Sequence, residues 1–221
     1  MENIRNSLRA ALGLAVVPMV LAGGIANAAD KLGYSYLEAE YVFGDELDAD
    51  VGGDDKFDVD GTRFKGSAAL TDNVFAWGSS TSLDVDLPDL DVDLPDGWDV
   101  GSFDSQSLGI GGNFTLVPGA RQLDAWGGVS YERAEIVGFN EDGYGLNAGL
   151  RWAALEVLEL NASSSLREYD DEAWVYGVGA VFSATPQLGL VANWERWEFD
   201  GDSGIDPEMD LFSVGARWTF R

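Results

Sequence analysis

The sequence predicts an all-β fold, an antiparallel up-and-down transmembrane β-barrel of about ten strands, preceded by a cleaved signal peptide. Three observations predict it: segments in which apolar and polar side chains alternate, short turns that alternate with long acidic segments, and a short apolar N-terminus. A tilted strand needs about 9–11 residues to cross a bilayer, which matches the length of the segments. A barrel of eight strands is the alternative.

Residues 1–28 have the composition of a secretory signal peptide. Arg5 and Arg9 lie in the polar start, an apolar run follows, and Ala26-Asn27-Ala28 forms a small-x-small cleavage site. A membrane anchor is the alternative, but the run is short, contains glycine and is followed at once by an acidic segment. The mature chain, residues 29–221, is expected to be one barrel domain, without cysteine for a lipid anchor or a disulfide.

Period-two alternation gives each predicted strand one apolar face and one polar or small face. In the last strand Phe212, Val214 and Trp218 share one face, and Ser213 and Gly215 share the other. A soluble sandwich would bury its apolar face, whereas here the second face carries Glu, Arg, Asn and Gly, as a barrel lumen does. The predicted strands are residues 37–43, 62–70, 74–83, 108–116, 123–131, 144–152, 158–162, 174–182, 188–194 and 212–220.

The connections alternate between short turns and long polar segments, as in outer-membrane barrels, whose short turns face the periplasm. An even strand count then places both chain termini on the periplasmic side. Most acidic residues fall in the long segments, an asymmetry that a soluble sandwich or lipocalin-like barrel does not need. The turns are residues 71–73, 118–122, 153–156 and 185–187, and the long segments are 44–61, 84–105, 135–142, 168–172 and 198–210.

The charge and the residue types exclude several functions. The chain has 39 acidic and 13 basic residues, a surface that repels nucleic acid and attracts cations. It has no histidine and no cysteine, which excludes a His-based catalytic site and the preferred ligands of zinc. Glu38 and Glu40 could act as an acid and base pair, but we expect them to be ion-paired and expect no enzymatic activity.

The inward-facing charges predict ion pairs inside the barrel. A register that places Glu40 opposite Arg63 places Glu38 opposite Lys65. Because buried charges need partners, a lumen of mixed sign predicts a salt-bridge network that fills a narrow barrel. Inward-facing glycines either leave water-filled space or make room for the long charged side chains.

A further lumen ion pair is predicted where two strands are joined by the 153–156 turn. Placing Trp152 opposite Leu158 brings Arg151 opposite Glu159, both on the inward-facing parity. Arg217 of the last strand has the same parity.

The long segments carry acidic clusters that suit weak binding of Ca²⁺ or Mg²⁺, which take several oxygen ligands. Residues 84–97 are a tandem seven-residue repeat, and the spacing in neither cluster is that of an EF-hand loop. The alternative is a solvated acidic surface suited to a saline habitat, and no other cofactor is expected. The candidate ligands are Asp45, Asp48, Asp50, Asp54 and Asp55 in the first cluster and Asp84, Asp86, Asp91 and Asp93 in the second.

Two arginines are candidates for contact with lipid A. Tyr131 is followed two residues later by Arg133, and Trp194 by Arg196, on the lipid-facing parity near the extracellular end. A guanidinium at that level can bind phosphate in a bidentate fork. The alternative is that each arginine offsets local carboxylates such as Glu135.

The C-terminal residues Ser213, Gly215, Trp218 and Phe220 form a pattern that resembles the assembly signal of outer-membrane barrels, although Arg221 follows the last aromatic residue. Residues 36–41, 60–67 and 70–73 are similar to first-hairpin sequences of small outer-membrane barrels, the superfamily of OmpA-type transmembrane domains and OmpX-like proteins. The resemblance implies an outer-membrane location and dependence on the barrel-assembly machinery, and implies little about function.

Together these features predict an integral outer-membrane protein of the cell envelope with long acidic extracellular loops and a structural or surface-binding role. The expected partners are outer-membrane lipid and lipopolysaccharide. The alternative function is a narrow, porin-like channel that prefers cations.

Overall fold

The computed structural model describes residues 32–48, 58–86, 101–136, 139–169, 172–200 and 208–220. The predicted signal peptide, residues 1–28, lies outside the described residues. Within the described part of the chain, no helix has the length and hydropathy to cross a membrane.

Ten antiparallel strands close into a barrel, in which each strand pairs with its neighbours in sequence and the first strand pairs with the last. The prediction of ten strands in an up-and-down barrel is confirmed. The strands are β1 (Tyr36–Asp48), β2 (Asp58–Ala69), β3 (Val74–Asp86), β4 (Ser102–Val117), β5 (Leu123–Ile136), β6 (Phe139–Leu155), β7 (Leu158–Glu168), β8 (Glu172–Ser183), β9 (Leu188–Asp200) and β10 (Glu208–Thr219).

One end of the barrel carries the short connections β2–β3, β4–β5, β6–β7 and β8–β9 together with the start of β1 and the end of β10. We call it the turn end, and the opposite end the loop end. The turn end is expected to face the periplasm.

The strands extend further toward the loop end than the alternation predicts. The predicted long connection at residues 135–142 is wrong, because β5 runs to Ile136 and β6 begins at Phe139, with Arg133 opposite Asp142. Backbone hydrogen bonds between strands need no apolar side chains, so the ladder continues after the outward-facing residues become charged. Hydrophobic alternation therefore marks only the part of each strand that faces lipid.

The outer face of the barrel is apolar across its middle. Tyr144, Phe114 and Leu146 are 72%, 67% and 63% exposed, values expected for side chains that contact lipid. Aromatic side chains form two girdles, as at the two interfaces of a bilayer. The girdle nearer the loop end contains Tyr41, Phe43, Tyr131, Tyr144, Trp174, Tyr176 and Phe212, and the girdle nearer the turn end contains Phe114, Trp152, Phe182 and Trp218.

Candidate functional site: the lumen and the outer rim

Lys65 lies at the centre of an ion-pair cluster in the lumen. Its Nζ atom is 3.0 Å from a carboxylate oxygen of Glu40, 3.6 Å from Glu195 and 3.8 Å from Glu38. The register is the predicted one, with Glu38 opposite Lys65 and Glu40 opposite Arg63. Arg63, however, reaches further: its Nη1 atom is 2.8 Å from Glu195 of β9. A long guanidinium side chain reaches beyond the neighbouring strand, which register alone does not predict.

A second cluster lies nearer the turn end. Arg151 makes a two-pronged contact with Glu159, at 2.8 and 3.0 Å, and Arg217 contacts Glu38 at 2.6 Å and Glu159 at 3.3 Å. The predicted register was wrong by two residues, since Trp152 lies opposite Leu160 and not Leu158. The predicted turn at residues 153–156 is displaced, because β6 continues to Leu155, which lies opposite Leu158, so that Arg151 reaches Glu159 along a diagonal.

Several inward-facing glycines are packed against aromatic rings. A Cβ atom at Gly109 would lie 2.3 Å from the ring of Trp77, and one at Gly149 would lie 2.6 Å from the indole nitrogen of Trp126. These glycines make room for two indole rings that lie along the lumen wall, whereas Gly145, Gly177 and Gly179 lie against polar side chains. Trp77 and Trp126 contact each other edge to face, with ring centroids 6.3 Å apart.

At the loop end the lumen is apolar, which the sequence did not predict. Phe103 on β4 contacts Trp197 on β9 with ring centroids 5.6 Å apart. These strands are diametrically opposite in the closed ring of ten, so the contact spans the lumen. Several residues of this layer lie in segments predicted as loops, and were therefore overlooked. The apolar layer contains Val42, Val59, Leu83, Phe103, Val175, Trp197, Met209 and Leu211.

Arg167 joins the apolar layer to the polar lumen below it. Its guanidinium carbon lies 4.2 Å from the ring centroid of Trp197, and its Nη1 atom is 3.4 Å from Glu132. The stacking on an indole face and the carboxylate together balance the charge of this buried arginine.

The N-terminal segment, residues 32–35, lies in the lumen at the turn end. Leu32 and Tyr34 are buried, and the ring of Tyr34 lies 4.7 Å from that of Phe75. The Tyr34 hydroxyl donates to Asp124 at 3.4 Å, and Arg151 donates to the carbonyl oxygen of Gly33 at 3.1 Å. Arg151 lies on β6, diametrically opposite β1, so the segment bridges the lumen from one wall to the other.

A polar chamber of about 210 Å³ lies between the apolar layer and the N-terminal segment. Lys65, Trp77, Ser79, Asn161 and Arg167 are among the residues that line it. The buried hydroxyl groups of two other lining residues, Ser67 and Ser165, have no hydrogen-bond partner within the described ranges. A cavity of this size and polarity holds several water molecules.

The outward face at the loop end carries carboxylates in direct cross-strand opposition, which we call the acidic rim. Asp60 lies opposite Asp84, and Glu168 lies opposite Glu172. Opposed like charges repel each other and destabilise the sheet unless cations screen them. In the ranges that the structure describes, no three acidic side chains are grouped so as to hold a metal ion. The other predicted metal ligands lack described side chains (Asp45, Asp48 and Asp86) or lie outside the described residues (Asp50, Asp54, Asp55, Asp91 and Asp93).

The two candidate lipid A arginines differ in their local partners. Arg196 contacts Glu198 at 3.2 Å, Asp210 at 3.7 Å and also Glu208. Arg133 lies 3.9 Å from Asp142 and donates to the Asn140 side chain at 3.3 Å. Local carboxylates therefore account for the contacts of Arg196, whereas the charge contact of Arg133 with Asp142 is longer.

The residues of the predicted assembly signal occupy β10 and the position after it. Ser213 points inward and donates to Glu40, and a Cβ atom at Gly215 would lie 2.1 Å from the carbonyl oxygen of Ala39. Trp218 faces outward near the turn end, and the Phe220 amide donates to Ser35 at 2.9 Å.

Neither a family profile nor a curated protein sequence matches this chain. Similar solved structures include the attachment invasion locus protein Ail of Yersinia pestis, at 17% identity over 85% of this chain and 99% of that one, with a TM-score of 0.43. Neisserial surface protein A is similar at 12% identity over 84% and 96%, with a TM-score of 0.43. The outer membrane protease OmpT of Escherichia coli is similar at 14% identity over 84% and 94%, with a TM-score of 0.44.

The similar structures are small outer-membrane β-barrels, but at these identities and scores the architecture of the chain itself carries the argument. A closed barrel with an apolar outer belt, two aromatic girdles and a charged lumen is built for a bilayer, and bacterial outer membranes hold such barrels. The protein is a ten-stranded outer-membrane β-barrel.

Proposed function

We propose that this protein is a structural and surface-binding component of the cell envelope, closed to solutes at rest, whose acidic rim and loop segments attract cations and basic partners. The observation that supports this most directly is the reversal of polarity along the strands. In β9, Asn193 and Glu195 face inward below Trp197, while outward-facing Trp194 is followed by Arg196 and Glu198.

Between the aromatic girdle nearer the loop end and the loop end itself, the barrel therefore has an apolar interior and a charged exterior, like a water-soluble β-barrel. Such an extension has its own core, here the apolar layer, and makes a rigid platform for the acidic segments. A barrel that served only to conduct would not need an apolar core across its mouth.

The attraction of cations is proposed to be diffuse and not a single coordination site. The directly opposed pairs Asp60 with Asp84 and Glu168 with Glu172 gain stability whenever cations screen them. The Glu38–Glu40 pair has no catalytic role in this proposal, because Lys65 and Arg217 bind these carboxylates.

The test uses the protein reconstituted into bilayers that contain lipopolysaccharide. We expect Mg²⁺ to raise the midpoint of thermal unfolding of the natural protein. The change of Asp60 and Asp84 to Asn, and of Glu168 and Glu172 to Gln, should raise the midpoint without Mg²⁺ and shrink the Mg²⁺ effect. Glu156→Gln, at the turn end, is the matched control and should leave the Mg²⁺ effect unchanged. An equal Mg²⁺ effect in the rim variant and the natural protein would refute the proposal.

The second candidate function is a narrow channel that prefers cations. The observation that favours it is the chamber of about 210 Å³ between the apolar layer and the N-terminal segment. Steady openings of the natural protein in a planar bilayer would favour this candidate over the first.

A further inference from the structure

We infer that the lumen is a latent pore for small ions, held shut by two seals in series, the apolar layer at the loop end and the N-terminal segment 32–35 at the turn end. This inference goes beyond the proposed function, which requires only that the barrel be closed at rest.

The outer seal depends on the contact between Phe103 and Trp197. The two rings meet edge to face at 5.6 Å, and both side chains are buried. A constriction lined by apolar side chains stops ions by excluding water.

The inner seal is a segment that precedes β1, and its last residue, Ser35, is hydrogen-bonded to Ala69 and Phe220 of the barrel wall. The strand ladder begins at Tyr36, whereas Gly33 and Tyr34 are held by a hydrogen bond from Arg151, a hydrogen bond to Asp124 and ring contact with Phe75. Residues 32–34 can therefore leave the lumen without breaking a strand pair, while Ser35 stays bound to the wall.

The space between the seals is polar and continuous. The chamber extends from Tyr34 at the inner seal to Val175, a member of the apolar layer. Its lining includes Lys65, Ser79 and Asn161, whose polar groups form hydrogen bonds with water. Ions that pass one seal would therefore enter a wet space and meet the second seal, so either seal alone keeps the pore shut.

The acidic rim sets the expected ion preference. Carboxylates around the loop end raise the local concentration of cations there. Once both seals are removed, the pore should prefer K⁺ over Cl⁻.

The experiment compares four proteins in planar bilayers with a KCl gradient: the natural protein, an outer-seal variant (Phe103→Ala with Trp197→Ala), an inner-seal variant lacking residues 30–34, and the two combined. Only the combined variant should show discrete openings, with a reversal potential of the sign set by K⁺. The matched control combines the inner-seal variant with Phe212→Ala and Trp174→Ala, which remove two lipid-facing rings. This control should show no channel openings.

A combined variant that is folded but silent would overturn the inference, as would a single-seal variant that conducts as well as the combined one. Conduction by the control would refute the role of Phe103 and Trp197. Conduction by the natural protein would instead refute the resting closure in the proposed function, so the two failures are distinguishable.

A second measurement keeps the inference testable where the combined variant does not assemble. The chain has no cysteine, so Ser79→Cys places a single thiol in the chamber wall. In oriented vesicles, a charged thiol reagent added on the side of the turn end should label this cysteine in the inner-seal variant but not in the outer-seal variant. Reagent added on the side of the loop end should label it in the outer-seal variant but not in the inner-seal variant. Equal labelling from both sides of the Ser79→Cys variant with both seals intact would contradict the two-seal arrangement.

Discussion

Arg151 and Glu159 form a two-pronged ion pair inside the barrel, at 2.8 and 3.0 Å, although they are not directly opposite each other in the sheet. Glu159 also lies 3.3 Å from Arg217, and Arg151 also holds the carbonyl oxygen of Gly33. The pair thus links β6, β7 and β10 to the N-terminal segment.

Breaking this pair from one side should cost more stability than removing it altogether. Arg151→Met leaves Glu159 partly unpaired and should lower the free energy of unfolding by about 3 kcal/mol, whereas Arg151→Met with Glu159→Leu should cost less. Urea unfolding in lipid vesicles measures both, and a double-mutant cycle gives the coupling energy.

The exposed pair of Arg133 and Asp142 at the loop end is the control for the double-mutant cycle. Its side chains are 45% and 60% exposed and 3.9 Å apart, so the coupling energy should be close to zero. Additive effects at Arg151 and Glu159 would mean that their contact contributes nothing specific.

A methyl group added to a glycine that packs against Trp77 should lower the stability of the protein. Because the three atoms nearest to a Cβ atom at Gly109 all belong to the Trp77 ring, Gly109→Ala should destabilise the protein by about 1–3 kcal/mol. Trp77→Ala should remove most of the additional cost of Gly109→Ala, as measured in the same unfolding assay.

The matched control is Gly127→Ala, where the nearest atom to a new Cβ is 3.4 Å away. It should be neutral or slightly stabilising, since alanine restricts the unfolded chain more than glycine does. A similar loss at Gly109 and Gly127 would show that close packing against Trp77 is not the reason for the glycine.

Assembly into the membrane should depend on the terminal aromatic residue. Phe220→Asp should sharply lower the fraction of protein that runs as a heat-modifiable barrel, because a charge near the bilayer interface opposes insertion. Phe220→Leu, which keeps an apolar side chain, and removal of Arg221 should both be tolerated. Normal assembly of the Asp variant would argue against the assembly signal at residues 213–220.

The two rim arginines should differ in their dependence on lipid. Arg196→Gln should lower thermal stability equally in neutral detergent and in bilayers with lipopolysaccharide, because its partners are Glu198, Glu208 and Asp210 of the same chain. Arg133→Gln should lower it mainly in bilayers with lipopolysaccharide, where we propose that the guanidinium binds lipid A phosphate. Equal losses in both media at Arg133 would leave Asp142 as its relevant partner.

Much of the fold follows from local patterns. Period-two alternation identified all ten strands, and the inward parity of Glu38, Glu40 and Lys65 placed them together in the lumen, because in a strand side-chain direction follows position. The turn chemistry placed the short connections at one end of the barrel.

The loop end was harder to predict because its polarity is reversed. Val59, Phe103 and Met209 lie in segments whose acidic composition predicted loops, and only strand pairing shows that they face one another inside the barrel. The sequence pattern that marks this reversal was present in β9, where the apolar residues change from the outward parity at Trp194 to the inward parity at Trp197.

The sequence by itself determined a barrel of about ten strands and which residues face inward along its lipid-facing part, because these depend on alternation along one strand at a time. The tertiary structure alone decided that Arg63 binds Glu195, that Phe103 meets Trp197 and that the N-terminal segment enters the lumen. Each of these contacts joins strands that are distant along the ring. Barrel closure and the reach of each side chain fix such contacts, and neither is encoded in the period of any single strand.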